Sequence, residues 1–298
     1  MKSMGKRILL FVAVNFLVIA TLSIVLNVLG VQPYITEKGL NFEQLLIFAT
    51  IWGFGGAFIS LALSKVMAKW MMGVQILDPQ KALGHERWLI ETVYRHARQA
   101  GLSKMPEVGI YDSPDINAFA TGPSRSNSLV AVSTGLLHSM NQAEVEGVIG
   151  HEVAHVANGD MVTMTLIQGV VNAFVMVLAR VLGFFISQGV REEARQTVHM
   201  ITVIVLEILF SFLGMFVVAW FSRQREYRAD KGGAALAGRE KMISALRALK
   251  NNFEPHPDEQ NGAMASLKIS GSSGGWMRFL STHPSLDDRI SRLERGYR

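Results

Sequence analysis

Four long apolar runs alternate with polar segments along the chain. They cover residues 8–29, 45–63, 162–187 and 200–221. Each is close to the twenty or so residues with which an α-helix crosses the hydrocarbon core of a bilayer. The pattern therefore predicts four transmembrane helices, arranged as two hairpins.

The first apolar run has two interpretations. Lys2, Lys6 and Arg7 precede it, as basic residues precede the apolar part of a secretory signal peptide. Its apolar part is long for a signal peptide, however, and no small-residue cleavage pattern follows it. The pattern favours a retained membrane anchor.

The segments between the hairpins carry the periodicity of a small α+β domain. Residues 86–100 have apolar side chains at helical spacing, which predicts an amphipathic helix. Short β-like runs follow at 107–111, 116–120 and 128–133, and turn-forming residues, among them 122–124, separate them. We expect a small β-sheet there.

A helix with metal-binding spacing follows the last of these strands. Asn141 and Glu144 have the pattern of a capping box, and valines recur at helical spacing after it. On this helix His151 and His155 lie one turn apart on one face, with Glu152 beside them. His-Glu-x-x-His is the signature of zinc hydrolases, in which the glutamate is the general base. The alternative is an exposed helix whose two histidines bind no metal.

Catalytic zinc needs a third protein ligand. The metzincin pattern would require glycine at 158 and histidine at 161, but the chain has Asn158 and Met161. Glu226 is the best candidate, because the second hairpin starts just after His155 and ends just before Glu226. Asp230, one helical turn later, can accept a hydrogen bond from a ligand imidazole.

Glycines on the motif helix predict a close neighbour. Gly147 and Gly150 each cost about 1 kcal/mol relative to alanine inside a helix, which suggests that another backbone approaches there. We expect the helix of Glu226 to pack against Gly147, Gly150 and Ala154.

Inside the second hairpin, Arg180 and Glu207 come to similar depths, and an unpaired charge there would be expensive. We predict a salt bridge between them.

Composition and charge refine this picture. Of the 298 residues, 49% are hydrophobic and none is cysteine, so no disulfide or thiolate ligand is available. The net charge of +5 comes mostly from lysines and arginines near the ends of the apolar runs. It indicates topology and not a nucleic-acid site. Both termini and the metal site are then expected on the cytoplasmic side.

Four segments together resemble the HtpX family of bacterial membrane zinc endopeptidases, which is related to the CaaX prenyl proteases. They are 117–122, 150–160, 226–230 and 282–285. The resemblance covers almost the whole chain. It implies one zinc ion per chain and a stress-related protease of the bacterial inner membrane that cleaves misfolded or damaged membrane proteins at the cytoplasmic face. An ATP-dependent membrane protease is an implied partner.

The resemblance completes the expected site. His151, His155 and Glu226 would bind zinc, and Glu152 would activate water. His283 and Arg289 are candidates to stabilise the oxyanion, although a structural turn before a final helix would equally suit that sequence. Residues 117–122 could form an edge strand that pairs with substrate or an ordinary buried strand, and the resemblance favours substrate contact by Asn117.

The expected fold is thus an α+β, mainly helical integral membrane protein with a zincin-like cytoplasmic domain. Residues 1–64 would form the first transmembrane hairpin, 65–161 the first part of the catalytic domain, 162–221 the second hairpin and 222–298 the rest of the domain. The glycine- and serine-rich stretch 262–275 is a surface loop or an active-site lid.

Two other functions stay open. A CaaX-type processing protease shares these motifs but usually has more membrane helices. A catalytically inactive metal-binding membrane scaffold would need the histidines but would have no use for Glu152.

Overall fold

A computed structural model describes residues 16–31, 33–36, 39–253 and 283–296 of the chain. Helices dominate these residues, and the strands are short. In chain order the elements are α1 (Phe16–Val28), β1 (Ile35–Thr36), β2 (Gly39–Leu40), α2 (Phe42–Met72), β3 (Gln75–Ile76), α3 (Gly84–Gln99), β4 (Glu107–Tyr111), β5 (Ala118–Ser124), β6 (Asn127–Ser133), α4 (Thr134–Ser139), α5 (Gln142–Asn158), α6 (Asp160–Gln188), α7 (Glu192–Ala237), α8 (Arg239–Phe253) and α9 (Leu286–Arg295).

The described residues form two compact units. The first unit comprises the residues up to Ala62 together with Thr163–Val218. The second unit comprises Leu63–Val162 together with the described residues from Ala219 onward.

Long apolar helices build the first unit. Helices α2, α6 and α7 are each long and apolar enough to cross a membrane, as expected for the second, third and fourth predicted spans. Helix α1 is described only from Phe16, so the beginning of the first predicted span lies outside the described residues. The mainly helical membrane class of the fold is confirmed.

Small residues and one ion pair hold these helices together. A Cβ atom added at Gly53 on α2 would lie 2.7 Å from the backbone nitrogen of Ala173 on α6, so the two backbones approach closely. The guanidinium of Arg180 donates to the carboxylate of Glu207 and lies 5.2 Å from the ring centroid of Phe48. The predicted salt bridge between α6 and α7 is confirmed.

A four-stranded sheet organises the second unit. Its strand order is β3-β4-β6-β5, with β4 and β6 parallel and β5 antiparallel to β6 at the edge. The predicted strand at 107–111 is confirmed. Alternating residues of β6 pack into two hydrophobic clusters. Val130 and Val132 belong to the main core, and Leu129 and Ala131 pack with Tyr111 on the other face of the sheet.

The prediction for β5 was wrong at both ends. The strand covers Ala118–Ser124 instead of 116–120, and the residues expected to form the turn lie inside it. A bulge between Thr121 and Ser124 accommodates Gly122, whose φ of 143° suits only glycine. Pro123 has no N–H to donate, and this is tolerated because some N–H groups of an edge strand have no partner strand. The turn itself falls at Arg125 and Ser126.

Helices α3 and α5 supply most of the remaining core of the second unit. The amphipathic helix expected at 86–100 is present as α3, and its apolar stripe is buried. It packs with the buried face of α5 and with β6 in one cluster. The fully buried members include Leu89, Val93, Ala97, Val130, Leu136, Ile149, Val153 and Val156.

Candidate metal centre

Helix α5 carries the histidine pair, and its two ends are well defined. The Asn141 side chain accepts from the Glu144 N–H while the Glu144 carboxylate accepts from the Asn141 N–H, so the predicted capping box is confirmed. The helix ends at Gly159, which has the left-handed φ of 70° common at helix C-termini.

Helices α7 and α8 pack closely against α5. A Cβ atom added at Gly150 would lie 3.0 Å from the Cβ of Ala237, and one added at Gly232 would lie 2.6 Å from the Cβ of Ala154. The predicted packing of α7 at these positions is confirmed. Gly147 instead faces α8, where an added Cβ would lie 2.6 Å from the carbonyl oxygen of Lys241.

This packing brings three potential metal ligands together. Nε2 of His151 lies 3.1 Å from Nε2 of His155 and 3.5 Å from Oε2 of Glu226, and His155 Nε2 lies 3.4 Å from Glu226 Oε1. One ligand atom from each residue lies within 4.8 Å of the others, and all three residues are buried. The group could hold a metal ion.

A carboxylate orients each histidine. Nδ1 of His151 lies 3.0 Å from Oδ1 of Asp230, and Nδ1 of His155 lies 2.6 Å from Oδ2 of Asp160. If each Nδ1–H donates to its carboxylate, both Nε2 atoms present lone pairs to the same point. Two lone pairs only 3.1 Å apart repel each other unless a proton or a metal ion lies between them, so the donor set fits a metal ion.

The electrostatics of the site favour positive charge. Burial lowers the pKa of His155, but hydrogen bonds with Asp160 and Glu226 outweigh it and raise the pKa to about 9. The carboxylates that would hold a proton on this imidazole would also attract a metal cation.

Asp160 has a place in the site that the sequence reasoning missed. It lies five residues after His155, beyond the end of α5, where no helical periodicity relates the two positions. The left-handed Gly159 turns the chain so that the carboxylate reaches back to the imidazole. An acidic residue directly after an expected helix-ending glycine was the available signal.

Helix α9 and the residues just before it bring two further predicted residues to Asp230 and Glu226. Arg289 is buried and makes two hydrogen bonds to Asp230, from Nε at 2.8 Å and from Nη2 at 2.6 Å. Its Nη1 lies 3.8 Å from Oε2 of Glu226. His283 is 62% exposed, and its Nδ1 lies 3.1 Å from Oε2 of Glu226. Glu152 is partly exposed next to His151.

Asn117 lies directly before β5 and has an exposed side chain. Its N–H donates to the Ser133 hydroxyl at 3.1 Å, and its carbonyl accepts from the Ser133 N–H at 2.9 Å. Because these main-chain groups are already paired, only the side chain of Asn117 is available to a ligand.

The remaining histidines lie elsewhere. Among the described residues only His151, His155 and Glu226 form a group that could hold a metal ion. His96 is buried on α3, and His256 and the stretch 262–275 lie outside the described residues.

Comparisons with known proteins agree with this geometry. Residues 84–296 match the model of peptidase family M48. The chain is similar to the protease HtpX homolog of Bacillus pumilus, with 55% identity over 98% of this chain and 99% of that one. It is also similar to protease HtpX of Thioalkalivibrio sulfidiphilus, with 55% identity over 97% and 98% of the two chains.

A solved structure shares the fold. The crystal structure of Ste24p from S. mikatae matches with a TM-score of 0.64 at 16% identity, covering 97% of this chain and 64% of that one. The resemblance drawn from the sequence motifs is confirmed.

Proposed function

The chain belongs to peptidase family M48, among the HtpX proteases, and from this premise we propose that it cleaves misfolded or damaged membrane proteins at the cytoplasmic face of the bacterial inner membrane. Its class as a membrane metalloprotease follows from the family. The observation that carries the proposal is the buried group of His151, His155 and Glu226. Glu226 lies five residues after the last apolar run, so the helix that supplies this ligand continues from a membrane-length apolar segment.

Zinc is the metal proposed for this group. Two imidazoles and one carboxylate are a common ligand set of catalytic zinc, and each imidazole has a carboxylate at its other nitrogen. Bound there, zinc would supply a Lewis acid and lower the pKa of a coordinated water. Asp230 and Asp160 would keep both Nε2 atoms unprotonated and directed at the ion.

The proton transfers belong to Glu152. Its carboxylate is partly exposed next to the ligand group, where it can accept a proton from the attacking water and return it to the leaving amine nitrogen. Arg289 places a positive charge, and His283 a hydrogen-bonding imidazole, next to Glu226, and we assign both to stabilising the oxyanion. Arg289 also holds Asp230, so it would position His151 as well.

The edge strand β5 is the proposed substrate-binding element. An extended peptide that pairs with an edge strand gains main-chain hydrogen bonds with little dependence on its sequence, which suits a protease of damaged proteins. The Asn117 side chain would contact the substrate at the start of the strand. An ATP-dependent membrane protease is proposed as a partner from the resemblance alone.

A direct experiment tests the catalytic assignment. The protein is purified in detergent, its zinc content is measured, and cleavage of an unfolded substrate is compared between the parent chain and Glu152→Gln. We expect one zinc per chain in both proteins and a loss of activity of at least about 100-fold in the variant. Stoichiometric zinc with equal cleavage by both would contradict the mechanism, and no cleavage by either would favour the inactive scaffold.

The side of the membrane needs a separate test. Because the chain has no cysteine, Thr36→Cys and Ser139→Cys each introduce one labelling site, in the connection before α2 and in the second unit respectively. A membrane-impermeant thiol reagent should label the Ser139→Cys protein only in inside-out vesicles and the Thr36→Cys protein only in right-side-out vesicles. The reverse pattern would place the metal site outside the cytoplasm.

A further inference from the structure

Two arginines flank the point where α5 ends and α6 begins. A Cβ atom added at Gly159 would lie 3.1 Å from Nε of Arg125. Nη2 of Arg228 lies 3.8 Å from Oδ1 of Asp160, the next residue. Arg125 belongs to the turn between β5 and β6, whereas Arg228 lies on α7. The fold thus brings two arginines from distant parts of the chain to two adjacent residues, Gly159 and Asp160.

Arg228 has one long ion pair, with Asp160 at 3.8 Å, and among the described residues neither arginine has a shorter one. Arg125 is exposed and makes no ion pair within the described part of the chain, and the Arg228 side chain is 60% exposed. A separation of 3.8 Å is too long for a hydrogen bond between Arg228 and Asp160. By contrast, two lysines on α2 have short ion pairs, since Lys65 and Lys69 lie 2.9 Å and 2.6 Å from the carboxylate of Glu107.

The two arginines lie near the ends of the apolar runs. The third apolar run begins at Val162, close to both arginines, and the fourth ends at Phe221, two helical turns before Arg228. Lys65 follows the second run and donates to the side chain of Asn127, next to the turn, at 2.8 Å. Residues just outside three apolar runs therefore lie near the turn, and lysines and arginines at the ends of such runs typically lie near lipid headgroups.

We propose that Arg125 and Arg228 bind phosphate groups of anionic membrane lipids and so hold the β5–β6 turn at the membrane surface. Guanidinium groups donate parallel hydrogen bonds that match phosphate oxygens, and anionic headgroups attract basic residues near the surface. Lipid phosphate is favoured over free phosphate because the pair lies next to the apolar runs. The contact would keep β5 close to the place where segments of membrane proteins leave the bilayer.

The full chain in lipid vesicles tests this binding. Ser126→Cys gives the cysteine-free chain one fluorophore site in the turn, and lipids with a quenching headgroup report how close it lies to the surface. Quenching should be stronger in vesicles containing phosphatidylglycerol than in phosphatidylcholine alone. Arg125→Gln and Arg228→Gln should each weaken the headgroup association about fivefold. Arg98→Gln is the matched control, because it removes the same charge from an exposed site at the end of α3.

Two results would overturn the proposal. One is equal quenching of the parent chain and the Arg125→Gln, Arg228→Gln double variant in phosphatidylglycerol vesicles. The other is an equal increase in quenching when inorganic phosphate is added to phosphatidylcholine vesicles, which would mean that the arginines bind free anions. Arg125→Lys should keep most of the effect and Arg125→Glu should abolish it, with unchanged melting temperatures in both, if charge and not the shape of the turn is responsible.

Discussion

His151 and His155 are oriented by carboxylates that reach them from two different helices. Asp230 is on α7, four residues after Glu226, and Asp160 is the first residue of α6. Spacing along one helix predicted the contact of Asp230, because residues four apart share a face. The same reasoning could not find Asp160, whose contact depends on how the chain turns at Gly159.

Removing the carboxylate of Asp160 should weaken metal binding. In Asp160→Asn the side chain keeps its size, but its hydrogen bond to His155 loses the charged acceptor that fixes the ring orientation. Loss of such a partner typically lowers the metal affinity by about 10- to 100-fold. Competition with a zinc chelator measures it. Asp78→Asn, on an exposed loop, is the control, and equal zinc affinity of the two variants would exclude the orienting role.

His96 makes the second unit sensitive to acid. Burial lowers the pKa of His96 below its ordinary value of 6.5, and the hydrogen bond with Gln99 offsets this only in part. The unfolded chain therefore takes up a proton as the pH falls below about 6.5, whereas the folded chain takes it up only at a lower pH. The contribution of the neutral imidazole to stability is complete above that pH and declines below it.

The melting temperature measured from neutral to mildly acidic pH tests this linkage. His96→Gln should melt lower than the parent at neutral pH but lose less stability on acidification, so the two curves converge. His138→Gln, an exposed histidine on α4, should follow the parent curve. Parallel curves for the parent and His96→Gln would show that His96 is not the group responsible.

At the scale of elements, the long helix α7 joins a membrane-length segment to the metal site without interruption. The apolar run predicted the first part and the spacing of Glu226 and Asp230 the second, but the division at residue 222 separated what the structure shows as one helix of 46 residues. Neither proline nor a helix-ending glycine lies near that position, so the backbone has no reason to stop there. The change from apolar to charged residues reflects a change of surroundings and not a helix end.

The C-terminal helix α9 is held by a small apolar contact and by polar pairs. Ile290 and Leu293 pack against Met242 and Leu246 of α8 in one buried cluster. The Tyr227 hydroxyl also donates to a carboxylate oxygen of Asp288. This docking positions Arg289 on Asp230.

Leu293→Ala should loosen α9. Truncating a fully buried leucine typically costs about 2–5 kcal/mol, and this cluster is too small to compensate. We expect faster amide hydrogen exchange in α9 and lower protease activity, because Arg289 would leave Asp230, while zinc stays bound by its three ligands. Arg295→Ala, at the exposed end of the helix, is the control. Unchanged exchange in α9 would contradict this account of its docking.

At the scale of the whole molecule, the chain leaves the second unit at Val162 and returns to it at Ala219. The sequence predicted that a transmembrane hairpin interrupts the soluble part, because apolar runs and charged ends mark membrane helices strongly. It could not predict how the hairpin is stabilised beyond the pairing of Arg180 with Glu207. The close approach at Gly53 and the contact of Arg180 with Phe48 depend on residues of a third helix, α2.

Breaking the Arg180 and Glu207 pair should destabilise the first unit without affecting the metal site. Glu207→Gln leaves Arg180 charged in apolar surroundings, and removal of one partner of a buried pair costs about 3–5 kcal/mol. The double variant Arg180→Met, Glu207→Leu removes both charges and should recover most of that stability. Melting temperature in detergent measures the difference, and zinc content reports the second unit separately. If the single and double variants melted at the same temperature, the cost would not come from an unpaired charge, and the pair would have to act through packing alone.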